Sequence, residues 1–186
     1  VAAVLGLSAC ASGPAKQSVS PTEAIRANEA LPEASLLDVG IHVFQRAEVD
    51  PDDAAETGTQ PKIMDAEARY IPFHLKNTLQ HTGQWGAVRL VPGRAEEVDV
   101  GVYGTLLESN GETLRLAIKV IDATGRVWFH NEYVAEANEK SYEAMEKKHR
   151  DPYQDLYNRV ANDMLTYRKQ MSAKEVSAIR QVALLK

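Results

Sequence analysis

Val98-Asp99-Val100-Gly101-Val102-Tyr103, Leu114-Arg115-Leu116-Ala117-Ile118-Lys119-Val120 and the run 127–134 decide the fold. In the first, Val98, Val100 and Val102 alternate with Asp99, Gly101 and Tyr103. In the second, Leu114, Leu116, Ile118 and Val120 alternate with Arg115, Ala117 and Lys119, so that strand carries one oily and one basic face. Between them Ser109-Asn110-Gly111 has the turn chemistry of a hairpin. Asp122-Ala123-Thr124-Gly125 then reads as a type I turn with glycine at its left-handed position. Three such strands joined by two tight turns make an antiparallel meander.

Upstream, Leu37, Val39, Ile41 and Val43 alternate with Asp38, Gly40 and His42, which predicts a strand over 36–44 with one face buried. The acidic stretch around Asp50, Asp52, Asp53 and Glu56, punctuated by Pro51, Gly58 and Pro61, is a loop. A helix follows over 70–80, with Pro72 in its first turn and Gly83 as its stop; residues 63–69 extend it only if Ile71, next to proline, accepts helical geometry. Residues 85–91 add one more strand. Downstream, Asp151 and Pro152 start a helix on which Tyr153, Leu156, Tyr157, Val160, Ala161, Met164 and Leu165 share a face. Ser172-Ala173-Lys174-Glu175 is a capping box that opens a last helix. Its apolar face, with Val176, Ile179, Val182 and Ala183, has no evident partner within the sequence.

The pattern predicts an α/β (α+β) fold: a mostly antiparallel sheet of four to five strands, helices packed on one face, and long C-terminal helices. It covers residues 36–168, with a further helical segment starting at 169–186. Residues 10–35, broken by Pro14, Pro21 and Pro32, read as a tether, with at most a short helix capped by Ser20 over 21–30. Residues 1–9 are apolar and end in Leu7-Ser8-Ala9 before Cys10, the only cysteine; this resembles a bacterial lipobox, which makes Cys10 the acylation site and 1–9 the remnant of a signal peptide. The chain opens at Val1 without a basic region and stops at Lys186 inside a helical pattern, so both ends read as truncated. Nine apolar residues fall short of the ~20 that span a bilayer, so attachment is expected through lipid.

A hydrophobic share of 44% and a charged share of 25% are those of an ordinary globular domain. The net charge of -5 argues against nucleic-acid binding, which needs clustered Lys and Arg. One cysteine leaves no intrachain disulfide, as suits an oxidising compartment once that cysteine is acylated. His42, His74, His81, His130 and His149 show no zinc-protease spacing, and the acidic loop lacks the alternating ligands of a calcium loop. Ser109 and Ser141 sit in no nucleophile elbow. No catalytic residue, metal or cofactor is therefore expected. The candidate partner-binding face is Arg115, Lys119, Trp128 and His130, placed by alternation on the polar side of the meander, where Trp and Arg favour protein contacts.

The order strand, helix, strand, meander, long helix resembles two periplasmic modules: the amino-terminal domain of the Tol translocation protein and the lipoprotein of the curli-secretion channel. The likeness rests on Leu37-Asp38-Val39-Gly40-Ile41-His42-Val43-Phe44, Ile71-Pro72-Phe73-His74-Leu75-Lys76-Asn77-Thr78-Leu79, Val98-Asp99-Val100-Gly101-Val102-Tyr103-Gly104 and 116–125. Trp85-Gly86-Ala87-Val88-Arg89, Asp151-Pro152-Tyr153 and 157–164 also resemble a group of uncharacterised proteobacterial envelope lipoproteins. The resemblance implies an envelope lipoprotein and brings no activity; with no catalytic motif in the sequence, the expected role is a lipid-anchored, non-catalytic adaptor facing the periplasm. It is held in a membrane through acylated Cys10 and recruits an envelope protein. Ala11 rather than Asp after the cysteine points to the outer membrane. A self-assembling secretion-channel subunit is the alternative, weakened because the hairpin is short and its Arg115 and Lys119 face is too polar to meet lipid; a periplasmic hydrolase is less expected still.

Overall fold

Alternation along the meander is realised residue by residue. In the computed structural model, which describes residues 15–48, 60–92, 98–137, 139–148 and 150–185, strands β5 (Val100–Ser109), β6 (Thr113–Asp122) and β7 (Val127–Glu136) pair antiparallel in sequence order. Leu114, Leu116, Ile118 and Val120 are buried and Lys119 is exposed, as the pattern requires. Both turns use a left-handed glycine, Gly111 at φ 90° and Gly125 at φ 87°, a conformation that side chains with a Cβ rarely adopt. Asp122 fixes the second turn: its Oδ1 accepts from the Thr124 and Arg126 amides and from the Thr124 hydroxyl.

Among the described residues the sheet has seven strands, more than the four to five expected, in the order β1-β7-β6-β5-β2-β4 with β3 also on β5. Its earlier strands are β1 (Ala15–Ser18), β2 (Val39–His42), β3 (Gln45–Arg46) and β4 (Val88–Val91). The meander is antiparallel; β1 runs parallel to β7, β2 and β3 parallel to β5, and β4 parallel to β2. All four residues of β2 are buried: Val39 and Ile41 in the core cluster, His42 against the stacked Tyr103 ring, and Gly40 against the Val91 and Val98 side chains.

Helices α1 (Pro61–Thr82), α3 (Gln154–Lys169) and α4 (Ala173–Ala183) bury their apolar residues in the same cluster as Val39, Val102, Leu116 and Ile118. They therefore pack on one face of the sheet. The fourth helix, α2 (Glu139–Lys148), joins the meander to α3. Helix α1 is longer than the periodicity suggests, because Pro72 sits inside it rather than at its start. Proline removes the donor that would satisfy the Ala68 carbonyl one turn back. That carbonyl instead accepts from the Phe44 amide at 3.2 Å, so the proline is tolerated where β2 hands over to β3. The Phe44 ring in turn lies over Gly104, where an added Cβ would come within 2.5 Å of three ring atoms.

Two expectations at the ends need correction. The part of the expected tether within the described residues belongs to the fold: β1 extends the sheet, and residues 21–30 form no helix but lie along α3. Asp155 and Asn158 hold the Thr22 amide and carbonyl at 3.0 and 2.7 Å, and Asn162 holds the Ile25 amide and Glu23 carbonyl at 2.9 Å each. The last helix does have a partner: Val176, Ile179 and Ala183 are buried in the core, and Arg180 donates to the Glu33 carbonyl at 3.0 Å. Its capping box is complete, with Ser172 Oγ accepting from the Glu175 amide and the Glu175 carboxylate accepting from the Ser172 amide. Cys10, the remnant 1–9, the acidic loop 50–56 and His149 lie outside the described residues.

Candidate functional site

The sheet face away from α1, α3 and α4 carries the expected contact residues, though not all four. Cross-strand register sets His130 beside Lys119 and Lys119 beside Tyr103. Tyr103 stacks on His42 at 4.2 Å with 13° between the rings. One row thus crosses four strands: His130, Lys119, Tyr103, His42. It lines a shallow groove of about 550 Å³ with Val43, Gln45, Gly104, Thr105 and Ala117, and no carboxylate is among these lining residues. Val43 and Tyr103 are 51% and 42% exposed.

Arg115 lies on this face but is spent on neighbours. Its guanidinium donates to Glu132 at 2.9 and 3.2 Å and to Glu108 at 3.2 Å, tying β5, β6 and β7 together. The Glu132 hydrogen bond, more than the partial burial that opposes it, holds its pKa above the usual arginine value. Trp128 is on the other face, contrary to expectation. The ladder pairs Phe129 with Val120 and Val127 with Ile121, so Trp128 is the extra residue of a bulge. The bulge turns its indole inward, where it is buried, stacks on Tyr167 at 5.2 Å and donates Nε1–H to Asp122 Oδ2 at 2.9 Å.

The four histidines among the described residues do not converge on one site. His42 and His130 lie in the sheet-face groove, whereas His74 and His81 line a separate polar pocket of about 480 Å³ between α1, α3 and residues 23–26. There His74 Nδ1 is 3.6 Å from Asp151 Oδ2, its Nε2 is buried without a hydrogen-bond partner, and its ring stacks against Tyr157 at 5.7 Å. The pocket's one hydroxyl, Thr78, accepts from the Gln154 amide at 2.9 Å rather than facing His74 as a nucleophile. Among the described residues, no group of His, Cys, Asp and Glu is arranged to hold a metal ion.

A further pocket of about 560 Å³ brings Asp38, Asp99, Arg89 and Arg180 together at the starts of β2, β4 and β5. The Asp38 amide donates to Asp99 Oδ2 at 2.8 Å, and Asp38 accepts from the Ala87 amide at 2.8 Å and from Arg89 at 3.3 Å. Burial pushes the Asp99 carboxyl up; the Asp38 amide opposes this and the Asp38 charge adds to it. Motif reading does not single out this cluster, yet the sequence carries its signal: Asp-Val-Gly occurs at 38–40 and again at 99–101. The two copies are register partners on adjacent parallel strands, Val39 with Val100 and Gly40 with Gly101.

No protein-family model and no curated protein sequence matches this chain. Among solved structures it is similar to a Xanthomonas campestris protein of the DUF330 family, at 10% identity over 83% of this chain and 97% of that one, with a TM-score of 0.50. A PelC dodecamer from Paraburkholderia phytofirmans matches at 16% identity over 58% of this chain and 69% of that one, with a TM-score of 0.32. A hypothetical protein from Chlamydia trachomatis matches at 12% identity over 80% and 99%, also at 0.32. What the chain shares with the Xanthomonas protein is its fold.

Proposed function

We propose that this is a non-catalytic, lipid-anchored adaptor of the bacterial envelope, attached through acylated Cys10 to the periplasmic side of the outer membrane, whose open sheet face is its contact surface. The observation that carries the reading is the asymmetry of the sheet: α1, α3 and α4 share one side, and the other presents the row His130, Lys119, Tyr103 and His42. Tyr103, half exposed in that row, is of a residue type enriched at contact surfaces. Cys10 after Leu7-Ser8-Ala9 supports the anchor, and Ala11 supports the outer membrane. An envelope protein is the partner such an adaptor recruits.

The test is crosslinking of the tagged, full-length protein in its own envelope, followed by mass spectrometry. The adaptor reading expects one dominant foreign partner, unaffected by His74→Ala with His81→Ala. A ladder of self-crosslinks would overturn it in favour of an assembling channel subunit, and loss of the partner in the folded double variant would reopen chemistry at the His74 pocket.

A further inference from the structure

If Cys10 carries the lipid, the anchor lies close in sequence to β1, which starts at Ala15 and pairs with β7. Five residue steps separate Cys10 from Ala15, a reach of at most about 18 Å. A tether extending to residue 35 would reach several times farther, so attachment through Cys10 keeps the β1 edge of the sheet near the bilayer. Ala15 pairs with Asn131, the neighbour of His130. Strands lie about 4.8 Å apart, so the row His130, Lys119, Tyr103, His42 runs from the leash's entry point across about 20 Å of the sheet. Lys16, exposed on β1, pairs with Glu132 one step along the same edge.

We infer that this row is a membrane-docking surface, taking the anionic headgroups of the bilayer in which the Cys10 acyl chains sit. The inference rests on the proposed acylation and names the occupant of the same face. Three observations select lipid over an acidic protein segment. The leash places the bilayer within reach of the face at all times, which raises its effective concentration above that of any free partner. Tyr103 and Val43 are exposed apolar groups beside Lys119, the combination that sits at a headgroup boundary. The protein as a whole carries a net charge of -5, so an anionic surface repels most of it and a carboxylate-free groove is where approach is favoured.

The test uses Cys10→Ala protein made without residues 1–9, which lacks both the acyl anchor and the apolar leader, with vesicles of phosphatidylethanolamine and phosphatidylglycerol or of phosphatidylcholine alone. Salt-sensitive cosedimentation with the phosphatidylglycerol vesicles is expected, weakened about tenfold by Lys119→Glu and left near the parent level by Lys174→Glu on exposed α4. Equal weakening by the two variants would overturn the inference, since bulk charge alone would then explain binding, as would no preference for phosphatidylglycerol. Loss of the envelope-protein crosslink in Lys119→Glu with vesicle binding unchanged would also overturn it, assigning the face to an acidic protein. Palmitate labelling of the parent tests the anchor separately: absence of label at Cys10 sinks the reading beneath, whereas a labelled protein that ignores phosphatidylglycerol sinks only the docking surface.

Discussion

Asp122 and Gly104 show how single positions fix this sheet. Asp122 holds the β6–β7 turn with one oxygen and the Trp128 indole with the other. Asp122→Ala strands a buried indole N–H and frees the turn, so a loss of about 2–4 kcal/mol is expected in urea unfolding, with a shift in tryptophan emission. Gly104→Ala drives a methyl into the Phe44 ring and should cost about 1–3 kcal/mol. Phe44→Ala removes the obstruction, and in a double-mutant cycle the glycine substitution should then cost much less; additive losses would mean the ring is not what forbids the methyl. Trp128 also marks where reading by alternation ends. Period two puts it beside His130, but a one-residue bulge reverses the side, and nothing in the composition of 127–130 announces a bulge. Lys119 and His130 lie on the regular part of the ladder and were legible; Arg115 was legible in position but not in its two carboxylate partners, one of them on a different strand from the other.

At the scale of elements, legibility follows the kind of force involved. The meander, α3 and the α4 capping box declare themselves through apolar spacing and local turn chemistry. The segment 15–30 does not, because what fixes it is polar: asparagine side chains on α3 grip its backbone, a contact with no periodicity to detect. Asn158→Ala with Asn162→Ala should therefore release it, seen as protease cleavage between 20 and 30 while β5 to β7 stay protected; unchanged resistance would show that these bonds do not hold the strap. Glu175 gives α4 a pH dependence. The Arg126 hydrogen bond first, and then the Ser172 amide and hydroxyl, hold its carboxyl down to about 2. A lowered folded-state pKa stabilises the helix above the ordinary carboxylate range and loses that contribution as pH falls from there toward about 2. Glu175→Gln should remove this component, so amide exchange over 173–179 in the variant is expected to change less on acidification than in the parent.

At the scale of the whole molecule, α1, α3 and α4 cover one side of the sheet and leave the groove of Tyr103, Lys119 and His130 on the other. The fold class was legible, since alternating strands followed by amphipathic helices leave few arrangements. The extra strands were not, because β1 and β3 are short and polar at an edge or a strand switch. On the proposed attachment through Cys10, β1 puts the edge of the sheet five residue steps from the anchor. The most direct measurement is lysine acetylation, read by mass spectrometry, of the full-length protein in native envelopes and of a released Cys10→Ala form made without residues 1–9. The account predicts that Lys119 is strongly shielded in the anchored protein and reactive when released, while Lys174 reacts alike in both. Equal reactivity of Lys119 in the two states would contradict a contact surface on the open sheet face.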